Sequence, residues 1–166
     1  MVPAYNEEDR LAGMLEEAVN YLERMYGTLE KDDGATMRQR KANGHATSTG
    51  PDRGWEIVIV SDGSTDRTEA TAFTFIRDHQ LSQHPRGYAG PWTPKAHEGM
   101  HIPPGTIRVV TLTRNRGKGG AVTHGMRHVR GRYVVFADAD GASKFDDLGK
   151  LIRSCQEIED VEGRGV

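Results

Sequence analysis

Asp138-Ala139-Asp140 sets two carboxylates one small residue apart, directly after the apolar run Tyr133-Val134-Val135-Phe136-Ala137. At a strand end, two carboxylates so spaced can address one hard divalent cation, Mg²⁺ or Mn²⁺, which takes oxygen ligands and shares them with phosphates. Such a cation offsets the charge that develops on a departing diphosphate. The competing reading is a solvated Asp-Gly turn leading into a helix cap, because Asp-x-Asp alone is common. The preceding strand-type run and three companion motifs favour the cation.

The companions each follow a stretch that reads as a strand or precedes a helix. In Asp62-Gly63-Ser64-Thr65-Asp66, a carboxylate after a buried strand can accept hydrogen bonds from a base or ribose. A tight turn with a cap accounts for Ser64 to Asp66 equally well, but not for Asp62. In Pro3-Ala4-Tyr5-Asn6-Glu7-Glu8, Tyr5 can pack on a base and Glu7 can accept from one. Asn6 reads as a helix N-cap, with Glu7, Glu8 and Asp9 in the first turn where the helix dipole favours negative charge. Asn115-Arg116-Gly117-Lys118-Gly119-Gly120 is a glycine-rich turn whose N–H groups and Lys118 suit a phosphate. Its spacing is neither that of a Walker A loop nor Gly-x-Gly-x-x-Gly, and close helix–sheet packing explains the glycines as well. His124 and His128, four apart, have zinc-ligand spacing but no evident third ligand, so they read as a solvated face. His84, His97 and His101 read as surface residues, and Cys155 as core.

These groups need elements to hold them. Leu11, Met14, Leu15, Ala18, Leu22 and Met25 recur at helical spacing within 7–26, with Gly27 as the stop. Trp55–Val60 and Ile107–Leu112 are short β-branched runs that read as buried strands, and 133–137 reads as a third. Asp66 with Glu69 resembles a capping box opening a helix to about His79. A helix bearing Ala121, Val122, Met126 and Val129 follows the glycine-rich turn. A last helix, about 145–159, places Phe145, Leu148, Ile152 and Cys155 on one face. The alternation implies an α/β chain: a mostly parallel sheet with helices on both faces. Ligands in such sheets bind beyond the carboxyl ends of the strands, so the acidic motifs should converge on one edge.

Two polar stretches, 28–54 and 82–106, interrupt the pattern and read as loop insertions; the second holds five of the seven prolines. They account for a hydrophobic content of only 36 % in 166 residues. A net charge of −2 gives no basic footprint for nucleic acid. One cysteine excludes an internal disulfide, and no apolar run approaches the roughly 18 residues of a membrane-spanning helix. Met1-Val2 leaves no room for a strand before Pro3, so the chain reads as one domain, 1–166, truncated at both ends.

In this order the four motifs resemble family 2 glycosyltransferases with the GT-A fold, of which this chain looks like the N-terminal part. Asn115 to Val122 and Ala137 to Phe145 are similar to the branch that glucosylates dolichyl phosphate. The resemblance implies that Pro3, Ala4, Tyr5 and Glu7 contact the nucleotide and that Val60 and Asp62 flank the base. It also implies that Asp138 and Asp140 hold a divalent metal (Mg or Mn) and the diphosphate, with Ala139 contributing backbone and Lys118 near the diphosphate. The implied reaction is a single inverting transfer of glucose from UDP-glucose to dolichyl phosphate at the endoplasmic reticulum membrane, catalytic domain facing the cytoplasm, which supplies lipid-linked glucose for protein N-glycosylation. Dolichyl-phosphate mannosyltransferases, which use GDP-mannose, share the first and last motifs but usually lack the Arg-Gly-Lys-Gly-Gly run. Members of the family carry a membrane anchor before the first motif and an acceptor-binding half after the last. These 166 residues alone are therefore expected to bind UDP-sugar weakly and not to transfer; a catalytically inactive fragment that at most binds nucleotide is the alternative. A dehydrogenase of the Rossmann type would need the glycine fingerprint that is missing.

Overall fold

A computed structural model describes residues 1–27, 54–81, 102–142 and 144–162. Most of the two expected insertions, with His84, His97 and His101, lies outside the described residues. Three strands form one parallel sheet in the order β1 (Val2–Ala4), β2 (Ile57–Ser61), β3 (Ile107–Thr111). Val2 pairs with Ile59 across one boundary, and Ile59 with Val109 across the other. The helices are α1 (Leu11–Tyr26), α2 (Thr68–Leu81), α3 (Gly117–Gly125) and α4 (Leu148–Glu162), the last preceded by a 3₁₀ turn at Phe145–Asp147.

β2 is buried throughout, and its side chains alternate between two cores. Ile57 and Ile59 join Leu11, Met14, Leu15 and Ala18 of α1 and Ala72 and Phe75 of α2. Val58 and Val60 join Ala121 of α3, Leu112, Met1 and Val129. A continuous apolar strand therefore means burial on both faces, as the sequence pattern implied. Each fully buried Val or Ile here contributes about 1.5–3 kcal/mol of transfer free energy.

α3 lies on the sheet through a glycine. A Cβ at Gly125 would sit 2.8 Å from Cγ2 of Val60 and 3.0 Å from Cγ and Sδ of Met1. Gly125→Val should therefore overpack this seam and cost about 1–3 kcal/mol, read as a lowered urea midpoint with an unchanged slope.

Three expectations are corrected. First, Met1-Val2 does leave room for a strand, because Val2–Ala4 is itself one. Pro3 is tolerated there because Val2 and Ala4 supply the bonds to β2, as when Ala4 C=O accepts from Asp62 N–H at 2.8 Å. Secondly, 133–137 is not a strand but makes one parallel rung beside β1. The Met1 amino group donates to Val135 C=O at 2.8 Å and Ala137 N–H donates to Met1 C=O at 3.0 Å. The next rung would need a donor from residue 3, and proline has none. Thirdly, Asn6 does not cap α1. The helix begins at Leu11, its first turn holds no acidic residue, and Arg10 occupies the cap position. Gly27 likewise ends α1 without a left-handed conformation (φ −38°); its lack of a Cβ matters because the Glu23 carbonyl lies against it.

Candidate functional site

The loops after the three strands are bound to one another at the carboxyl edge of the sheet. Asn6, at φ 55°, takes a left-handed conformation that asparagine tolerates. Its N–H donates to Ser64 Oγ at 3.2 Å, and its Oδ1 accepts from Thr65 N–H at 2.9 Å. Glu7 N–H donates to Thr68 Oγ1 at 2.8 Å and Glu8 N–H to Asp66 Oδ2 at 3.1 Å. Glu8 Oε2 accepts in return from Arg67 N–H at 2.9 Å. The first two motifs thus form one zipped unit, in which Asn6 joins loops rather than starting a helix.

Asp66 does not form the reciprocal capping box. Its Oδ1 accepts from Thr68 N–H at 2.9 Å and from the Thr68 hydroxyl, while Glu69 turns to Ser61, whose hydroxyl donates to it at 2.9 Å. Desolvation raises the Asp66 pKa, but the bonds from Thr68 and Glu8 outweigh it and the net shift is downward from 3.8. A depressed carboxyl pKa contributes stability that is present above the unfolded value and lost as pH falls through the folded one. Asp66→Ala should therefore destabilise the chain by about 1 kcal/mol at pH 7, with the difference from wild type shrinking below pH 4 in urea titrations.

Asp62 is 3 % exposed, and its Oδ1 accepts from Arg116 N–H at 2.8 Å. This bond fastens the β2 loop to the glycine-rich turn. The two backbones meet beside it, since a Cβ on Gly63 (φ +67°) would lie 2.6 Å from both the Arg114 carbonyl carbon and the Asn115 nitrogen. Lys118, in the first turn of α3, extends the chain of contacts to the fourth motif. Its Nζ lies 2.6 Å from Oδ1 and 2.8 Å from Oδ2 of Asp138. Asp140 is exposed, and its Oδ1 accepts from Ala142 N–H at 2.9 Å in a turn closed by Gly141 (φ +76°). Ala139, between them, is buried in the core shared by α1 and α2.

The expected convergence is therefore found for the loops. The remaining named residues divide by exposure. Tyr5 is half exposed and available to a ligand, whereas Ala4 and Val60 are buried in the cores. Pro3 is also buried. Glu7 Oε2 is buried and accepts no hydrogen bond; Arg10 Nη2 stands 2.7 Å from it as an ion pair without hydrogen-bonding geometry. Sequence reasoning passed over Ser61, a buried strand serine that holds Glu69 and Ser64, and Phe136, half exposed beside Lys118. A serine ending an apolar run was the signal for the first; nothing local marks the second. His124 and His128 are intermediate in exposure, with Nε2 atoms 3.3 Å apart. Cys155 is partly buried.

The position of the rung at Met1 places 133–137 on the side of β1 away from β2. Strand order therefore reverses between β1 and the segment leading to Asp138, and such a switch point opens a crevice at the carboxyl edge. Tyr5 and Glu7 follow β1 on one side of that switch point, and Asp138 follows the segment on the other. A cavity of about 860 Å³ lies instead toward the amino ends of the strands, lined by Met1, Trp55, Glu56, Tyr133, Leu148 and Ile152 among others. It contains none of the acidic-motif residues.

Among the described residues no three His, Cys, Asp or Glu side chains cluster as a metal site. The pair Asp138 and Asp140 nevertheless suits Mg²⁺ or Mn²⁺, which is commonly held by one or two carboxylates with water and substrate phosphates supplying the rest. No described helix is long and apolar enough to cross a membrane.

The family model described as Glycosyl transferase family 2 matches residues 1–87 and 93–161. Three proteins named dolichyl-phosphate beta-glucosyltransferase are similar to the chain. That of Saccharomyces cerevisiae is 33 % identical over 96 % of this chain and 34 % of its own length. That of Drosophila melanogaster is 36 % identical over 91 % and 33 %, and that of Mus musculus 34 % identical over 96 % and 36 %. The chain spans about a third of the length of these relatives. Among solved structures, the crystal structure of S. aureus TarS 1–349 matches with a TM-score of 0.47 and 19 % identity, over 93 % of this chain and 32 % of that one.

Proposed function

Because the chain belongs to glycosyl transferase family 2, we propose that it is the donor-binding part of an enzyme that transfers glucose from UDP-glucose to dolichyl phosphate. The observation that carries this reading is the switch point at the carboxyl edge of the sheet, flanked by the Asp138–Asp140 pair and by the zipped Tyr5–Glu8 loop. The relatives named for this reaction support the choice of sugar and acceptor. The work of the whole protein is placed by the same reading at the endoplasmic reticulum membrane, on its cytoplasmic face, in the supply of lipid-linked glucose for N-glycosylation.

Asp138 and Asp140 would hold the divalent metal, which when bound neutralises charge on the departing diphosphate. Tyr5 offers an exposed ring for the base. Glu7, whose buried Oε2 is ion-paired with Arg10, would have to turn from that pair to accept from the base, and Pro3, Ala4, Val60 and Ala139 shape the floor from the core. Asp62 acts through the loop it fixes, since one of its oxygens is committed to Arg116. Lys118 and the N–H groups of the first turn of α3 that follow Gly117, whose own N–H donates to Asn115 Oδ1 at 2.8 Å, suit the diphosphate. The attacking group is the acceptor's phosphate, whose second pKa near 6 leaves it largely dianionic at neutral pH. It needs no general base, so the protein's task is alignment for a single inverting displacement at the anomeric carbon.

The test is the melting temperature with Mn²⁺ alone, then with UDP, UDP-glucose, GDP or GDP-mannose. A metal-dependent rise with the uridine compounds alone is expected. A rise with the guanosine compounds alone would transfer the assignment to mannose, and no rise with any would refute donor binding by these 166 residues.

A further inference from the structure

We propose that Lys118 is the resident cation of the Asp138 carboxylate and exchanges with the divalent metal, so that metal loading releases Lys118 toward the donor's diphosphate. This rests on the metal and diphosphate reading above and adds a coupling between the two ligands. Lys118 Nζ holds both oxygens of Asp138, at 2.6 and 2.8 Å, and so covers the ligand set a metal needs from that residue. A dication taking these oxygens competes with the ammonium for them and repels it at such a distance.

The pair is also built to open. The Lys118 side chain is 57 % exposed and that of Asp138 38 %, and an ion pair this accessible adds little to folding. Phe136 lies on the same side, its ring centroid 5.8 Å from Nζ, and gives the ammonium a second, weaker resting place. Lys118 stands in the first turn of α3, where the helix dipole disfavours a cation and favours an anion. Without Asp138, Phe136 is the contact left to the ammonium among the described residues, and a diphosphate would satisfy both the ammonium and the helix end. Metal and nucleoside diphosphate should therefore bind with positive cooperativity, each removing an obstacle for the other.

Mn²⁺ binding followed by electron paramagnetic resonance, with the metal alone and then with UDP, separates the possibilities without any transfer assay. Lys118→Met is expected to bind Mn²⁺ alone about tenfold more tightly than wild type, and to lose most of the strengthening that UDP gives wild type. Lys118→Arg, which keeps a charge over Asp138, is expected to stay near wild type. Equal or weaker Mn²⁺ binding by Lys118→Met, with binding abolished in Asp138→Asn/Asp140→Asn, would overturn the exchange and leave the metal site standing. Unchanged Mn²⁺ binding in that double variant would refute the metal site itself, and the exchange with it.

Discussion

Gly63→Ala is expected to lose about 2–4 kcal/mol of folding stability and, with it, any stabilisation by nucleotide. Three costs combine. A left-handed conformation, here φ +67°, costs an alanine about 1–2 kcal/mol. The added Cβ would stand 2.6 Å from backbone atoms of Arg114 and Asn115, which cannot swing aside as a side chain can. Parting the loops would also break the Asp62–Arg116 bond and leave a buried carboxylate short of a donor. Gly105→Ala is the control, since its φ is +85° but nothing lies within 4 Å of the added Cβ. It should pay the conformational cost alone. Urea unfolding of both variants measures the difference, and equal losses would show that the contact between the β2 and β3 loops is not what Gly63 serves.

Asp138→Ala is expected to do the opposite: leave metal-free stability within about 0.5 kcal/mol of wild type and abolish the Mn²⁺-dependent stabilisation by UDP. Its ion pair with Lys118 is accessible on both sides and contributes little to folding. A ligand at 100 times its dissociation constant stabilises the native state by about 2.7 kcal/mol, several degrees in a chain of this size. Loss of that shift in a variant that melts normally without ligand would assign the effect to binding. A full Mn²⁺-dependent shift surviving in Asp138→Ala would remove Asp138 from the donor site.

The sequence was informative where local pattern and tertiary role coincide. Ile57 to Val60 are all apolar because both faces of β2 are covered, and that reads directly as a buried strand. It failed where one residue type serves two purposes. Asn6 and Asp66 have the chemistry of helix caps, but the Asn6 side chain spends it on Thr65, 59 residues away in the chain. Glu69 has the spacing of a capping box and bonds Ser61 instead. The run 133–137 has strand composition, yet pairing depends on its neighbour, and Pro3 withholds the second donor. The four motifs were legible as a set because each follows or opens an element. That Lys118 grips Asp138 was not, since 20 residues and an entire helix separate them.

Pro3 has a further meaning in the economy of the fold. β1 and β2 are paired at three positions, and among the described residues the arm that carries Asp138 meets β1 through the two bonds at Met1. Local opening takes place where backbone pairing is sparse. Pro3, with no N–H, offers that arm no donor beyond Met1, so backbone pairing stops short of Asp138. On the proposed reading, part of the cost of arranging Asp138 falls on the donor, and the affinity of its site depends on a residue that need not touch the ligand.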